Sequence, residues 1–319
     1  MAKARKSKPS KSPVPKSPAQ TSSPRELVTV LDFIRYAVTR FGRAKLAFGQ
    51  GAYDAAEEAT FLVAEALGLP VDGIDPFLPG KLTGDERRRL FTLIERRIRL
   101  RLPAAYLLNC AYLQGLPFYI DRRVIVPRSY LAELLFDDLF AGEAPLIDPY
   151  GVRRVLELCT GSGCLAILAC KAFPNATVDA IDISADALKV AAINVAKHDL
   201  EDRIALSKGD LFEPVGGAAY DVILANPPYV TTKAAAALPQ EFSHEPRLAL
   251  DGGGDGMDIV RRILAGAGAH LQADGGLLCE VGRGRRVLER DYPQTQFLWL
   301  DTAESAGEVF WIAAPALRR

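Results

Sequence analysis

The chain is poor in the side chains that build metal sites and disulfides. Its 319 residues hold five cysteines, Cys110, Cys159, Cys164, Cys170 and Cys279, with no CxxC pairing and too few for a disulfide framework, so reduced and buried thiols are expected. The three histidines, His198, His244 and His270, are far apart and lack zinc-ligand spacing, so no metal is expected. Net charge is missing as well: 39 Lys and Arg balance 39 Asp and Glu, which argues against a broad nucleic-acid surface. No run approaches the roughly 20 consecutive apolar residues of a membrane span, and the first residues lack the apolar core of a signal peptide. A soluble, cytoplasmic protein is expected. With 49% hydrophobic residues, the length suits one large domain plus a smaller one.

Composition then divides the chain. Residues 1–24 are Lys, Ser and Pro without a single acid, the signature of a disordered basic tail that solubilises the chain or touches RNA. Residues 25–102 carry helical periodicity: "LVTVLDFIRYAVTRF", "AYDAAEEATFLVAEALG" closing on Gly68, and "TGDERRRLFTLIERRIRLR" opening on a Thr83 cap. The last of these is basic on one side through Arg87, Arg88, Arg89, Arg96, Arg97, Arg99 and Arg101, read first as a solvated face and second as a contact for a ribosomal or RNA-binding partner. Residues 103–128 read as a hairpin linker, two apolar runs around a Gly-Leu-Pro turn ending at Pro127 and Arg128. Within 129–319, short β-branched runs alternate with helical patterns, which predicts a doubly wound α/β sheet of Rossmann type, its closing pair of strands forming an antiparallel edge.

Such sheets bind ligands at the carboxyl ends of their strands. After the first strand, "ELCTGSGCLA" places Gly161 and Gly163 at the start of a helix, where backbone amides are free. Asp182 ends the second strand, positioned to accept ribose hydroxyls; Asp210 follows the third and Asn226 the fourth. Gly161, Gly163 and Ala166 with Asp182 also fit a nicotinamide dinucleotide site. Asp210 together with "NPPY" tips the balance, because a dehydrogenase needs no amide-proline-proline-aromatic corner beside its cofactor. Cys159 and Ser162 read as packing and turn residues.

Prolines cannot continue a central strand, so the chain leaves the sheet directly after Asn226. That corner suits a planar amide, whose delocalised nitrogen is a poor nucleophile. The Asn226 side-chain oxygen can accept one amide N–H and the Pro227 carbonyl the other, while Tyr229 stacks on the flat group. As the nitrogen attacks a methyl group it gains positive charge, and fixed dipoles facing developing charge are worth roughly 3 kcal/mol each.

At this point the residues resemble a known family. "ELCTGSGCLAI", "AIDIS", "GDLFEP", "ANPPYV", "SHEPRLAL" and "GGGDGMDIVRRIL" are similar to the N5-glutamine methyltransferases, from about residue 25 to the C-terminus. One branch of that family modifies peptide-chain release factors and the other a glutamine of the third protein of the large ribosomal subunit. "CTGSGC", "VPRSYLAELL" and "SHEP" resemble the ribosomal branch, although Tyr130 and the Arg283 of "EVGRG" depart from its pattern. The resemblance implies S-adenosyl-L-methionine as cofactor, a large-subunit ribosomal protein as partner and a role in ribosome assembly. It places Glu157, Thr160, Gly161 and Gly163 at the methionine end of the cofactor, Asp182 on the ribose, and Asp210 and Leu211 beside the adenine. Asn226, which also touches the cofactor, holds the glutamine with Pro227 and Tyr229; Arg128 and Ser129 close the cofactor pocket, and Phe118 borders it. The helical domain and tail would recognise the protein partner. Two rivals are an adenine methyltransferase, which needs a base-reading module, and a non-catalytic assembly factor, which needs no intact Asn226.

Overall fold

The computed structural model describes residues 26–142 and 145–318; the tail of residues 1–24, with its expected disorder and RNA contact, lies outside the described residues. Local chemistry starts each of the first three helices. Thr29 and Asp32 form a capping box ahead of α1 (Val30–Arg43), Asp54 caps α2 (Ala55–Leu67), which stops at Gly68, and Thr83 and Glu86 form a second capping box for α3 (Gly84–Leu100). Phe33 and Phe41 from α1 and Leu62 from α2 pack on Leu90 and Ile94 of α3 in a core of their own.

Arg97 corrects the reading of α3 as a helix whose arginines all face water. It is 1% exposed, and its guanidinium clasps Glu58 of α2 through Nε and Nη2, both at 2.9 Å. Glu58 also takes the amide of Ala104 at 2.8 Å, at the start of α4 (Ala104–Leu108).

The hairpin follows as β1 (Cys110–Leu113) and β2 (Leu116–Tyr119). Its turn is Gln114-Gly115, both at positive φ, rather than Gly-Leu-Pro: Leu116 and Pro117 already pair with Leu113 and Tyr112. Proline fits because the ribbon has only two strands, so alternate residues of β2 turn their backbone N–H away from β1 and the ladder needs none from position 117. The second apolar run is a strand only as far as Tyr119; its continuation over 124–127 is not one. Asn194, fully buried on the helix Ala185–Lys197, joins the hairpin to that helix by bonding both the N–H and the C=O of Tyr119.

Two short helices, α5 (Leu131–Leu134) and α6 (Asp138–Ala141), lead to the alternating pattern. It runs β3 (Arg154–Leu158), α7 (Cys164–Ala172), β4 (Thr177–Asp182), α8 (Ala185–Lys197), β5 (Ile204–Lys208), β6 (Tyr220–Ala225), α9 (Thr232–Ala236), α10 (Asp258–His270), β7 (Leu271–Glu280), α11 (Arg285–Asp291), β8 (Leu298–Asp301), β9 (Ala306–Ala313) and α12 (Ala314–Leu317). The seven strands lie in the order β5-β4-β3-β6-β7-β9-β8. β9 runs antiparallel to both neighbours, giving the antiparallel edge expected of the closing pair, with β8 outermost.

Alternate side chains of the central strands feed two cores, one on each face of the sheet. Val155, Val222 and Leu224 join α7 on one face, while Leu156, Ile223 and Ala225 join α10 on the other. Chain order reverses between β3 and β6, so the crevice at their carboxyl ends is where this architecture binds ligands. Among the described residues, no helix is long and apolar enough to cross a membrane.

Candidate active site

A cleft of about 210 Å³ opens at those carboxyl ends. Glu157, near the end of β3, is 1% exposed and accepts the hydroxyl of Thr160. Burial pushes its pKa up to about 8, the Thr160 hydroxyl opposes the rise and the charge of Asp182 adds to it. Asp182, the last residue of β4, accepts the amides of Gly161 and Ser184, each at 2.8 Å. Burial raises its pKa too, and those two amides pull it back.

Gly161 and Gly163 sit at φ 57° and 78°, so the loop into α7 uses a backbone that side chains resist, and a Cβ on Gly163 would press on Ala191 of α8 at 3.1 Å. Asp210, beyond β5, pairs with Arg262 of α10 at 2.9 Å, and buried Leu211 follows at φ 52°. Asn226 follows β6 beside β3, since Ala225 pairs with Leu158.

Glu157, Thr160, Gly161, Asp182, Asp210, Leu211 and Asn226 therefore share one cleft, together with Arg128 and Ser129. Gly163, Pro227 and Tyr229 do not line it: Pro227 is buried and Pro228 forms that stretch of wall. Cys159 and Ser162 do reach the cleft, and burial drives the Cys159 thiol well above its ordinary pKa. Phe118 does not border it. It is fully buried in the core beneath α7, its ring centroid 5.1 Å from that of His198.

Sequence reading missed the carboxylates that hold the rim. Glu280, the last residue of β7 and 1% exposed, accepts the hydroxyls of Ser129 at 2.6 Å and Tyr229 at 2.8 Å and the amide of Tyr130 at 3.0 Å. Glu245 grips Arg128 through both oxygens, at 2.7 and 2.8 Å. The ring of Tyr229 lies against Gly282, where a Cβ would sit 2.7 Å from it. A carboxylate at a strand end was a readable signal for Glu280, the same one that marks Glu157.

Residues 144–257 match the methyltransferase small domain family. A ribosomal protein uL3 glutamine methyltransferase of Bradyrhizobium diazoefficiens is 56% identical over 296 residues, spanning 92% of each chain. The chain belongs to the family of ribosomal protein uL3 glutamine methyltransferases. Its relative of that name in Bordetella pertussis is 53% identical across 93% of this chain and 99% of its own, and one in Burkholderia pseudomallei 51% identical across 93% and 98%. The ribosomal branch read from "CTGSGC", "VPRS" and "SHEP" is thus the family found, and the chain is a methyltransferase.

Proposed function

We propose that the chain transfers a methyl group from S-adenosylmethionine to the side-chain amide nitrogen of a glutamine in ribosomal protein uL3. The observation that carries this reading is the meeting in one cleft of Glu157, a buried carboxylate, and the Asn226 amide on the adjoining strand end.

The residues present fit the cofactor. Glu157 has no cationic partner among the described residues, so it suits the ammonium or sulfonium of a bound ligand. Each oxygen of Asp182 accepts one backbone amide, leaving further lone pairs for ribose hydroxyls. Leu211 and Asp210 would flank the adenine, and Thr160, Gly161 and Gly163 shape the loop beneath the methionine end. When bound, S-adenosylmethionine supplies a methyl group activated on a sulfonium cation.

The protein's part is to hold the acceptor. The Asn226 oxygen, which lines the cleft, accepts an amide hydrogen and stabilises the positive charge that grows on nitrogen during attack; the expected second acceptor, the Pro227 carbonyl, lies behind the wall that Pro228 forms. Tyr229, fixed by Glu280 outside the lining, supports the corner that carries Asn226. No histidine lines the cleft, and none is needed, because the proton leaves after transfer. The helical segment 25–102 and the tail recognise the ribosomal protein in this account.

Replacing Asn226 by Ala tests it. Turnover should fall by about 10²–10³-fold, the loss typical of one missing oriented dipole, while the cofactor Kd moves by less than about tenfold. Turnover unchanged in this variant would overturn the catalytic role.

A further inference from the structure

The motif "SHEPRLAL" has no part in the chemistry so far, yet the acid within it and the one two residues before it are among the most enclosed polar side chains of the described residues. Glu241 is 0% exposed and Glu245 5% exposed. Both lie on an excursion, residues 231–251, that leaves the Asn-Pro-Pro-Tyr corner and returns to it: the Val230 N–H donates to Leu250 and the Gly252 N–H to Val230, at 3.0 and 2.8 Å.

Resting on the glutamine-methylation reading, we infer that residues 231–251 form the acceptor-side wall of the cleft and that Glu241 and Glu245 are positioning residues that hold this wall in place. Glu241 reaches into the helical segment, accepting the amide of Ala47 at 3.0 Å and pairing with Arg101 at 2.6 Å, while Gln50 donates to its carbonyl at 3.2 Å. Glu245 reaches the loop before α5, taking the Val126 amide at 3.0 Å as well as the fork of Arg128. Buried carboxylates held by charge-assisted bonds tolerate little displacement, because a shift strands a charge away from water.

The residues that follow face the cleft. Pro246, Leu248 and Ala249 line it, and Leu248 is 58% exposed, an apolar side chain at the rim with space for a visiting chain. The sheet order separates this wall from the cofactor groups. Glu157, Asp182 and Asp210 come from β3, β4 and β5, whereas the excursion springs from β6, across Asn226 from them. The "VPRS" and "SHEP" stretches, far apart in sequence, therefore form one device through the Arg128–Glu245 pair.

The test measures methyl transfer to purified uL3 with Glu241→Gln, whose partners Ala47 and Arg101 lie outside the cleft, and Leu248→Ser, and cofactor Kd by calorimetry. Each variant is expected to raise the acceptor KM roughly tenfold, with kcat and cofactor Kd within about twofold, the pattern of lost acceptor binding. An unchanged acceptor KM in both variants, or a cofactor Kd that weakens in step with KM, overturns the inference. If Glu241→Gln fails to fold and binds no cofactor, the exposed Leu248→Ser variant decides. Wild-type enzyme that leaves uL3 unmethylated refutes instead the function on which the inference rests.

Discussion

The hydroxyl of Tyr229 donates to Glu280 at 2.8 Å, tying the aromatic residue of the Asn-Pro-Pro-Tyr corner to the end of the neighbouring strand β7. The same carboxylate holds Ser129 and Tyr130, so one buried acid sets the corner and the loop opposite it. Tyr229→Phe removes one of three donors from that acid. The variant should lose about 1–2 kcal/mol of stability, and its turnover should fall by about tenfold as the ring loosens. Urea denaturation and single-turnover kinetics check the two effects separately.

Glu157 predicts a pH dependence of cofactor binding. Its folded pKa of about 8 lies above the ordinary 4.5, so the unliganded protein keeps a proton there at neutral pH. Between those two values the folded state binds more protons than the unfolded one, and this group's contribution to stability therefore falls as pH rises toward about 8. A bound cation favours the ionised carboxylate, so binding releases a proton. Affinity should rise with pH up to about 8, by at most about tenfold per unit, then level off. Calorimetry in buffers of different ionisation enthalpy counts the proton, and Glu157→Gln should abolish its release. Affinity independent of pH in the wild type would contradict this role.

The Arg97–Glu58 pair predicts a stability hierarchy among the α3 arginines. Arg97→Met leaves Glu58 buried without its cation and should cost about 3–5 kcal/mol, whereas Arg96→Ala on the exposed side should change stability by less than about 0.5 kcal/mol. Adding Glu58→Leu to Arg97→Met should recover most of the loss, because the stranded charge is then gone. Urea unfolding of the four proteins measures all three comparisons.

Much of this site is legible in the sequence because strand ends announce themselves. Glu157, Asp182, Asp210 and Asn226 each stand where a β-branched run stops, and the parallel sheet then brings those stops together. Caps are equally local, as Thr29, Asp54 and Thr83 show. What escapes is pairing across distance. Glu241 and Arg101 are 140 positions apart and nothing in either neighbourhood announces the other, and the same holds for Glu245 with Arg128. Arg97 was readable in part: it continues the Leu90, Leu93, Ile94 stripe at helical spacing, which puts it on the buried face. The hairpin turn was misplaced because Pro117 draws attention as a breaker, while Gln114 and Gly115 supply the positive φ that a two-residue turn needs.

The central claim is tested most directly by locating the methyl group. Purified uL3 and a peptide-chain release factor are incubated with the enzyme and S-adenosylmethionine, and each acceptor is digested and mapped by mass spectrometry, with Asn226→Ala in parallel. The account predicts one added methyl on a glutamine of uL3, absent with the variant. A methyl on the release factor alone, on neither protein, or retained in full by Asn226→Ala would contradict it.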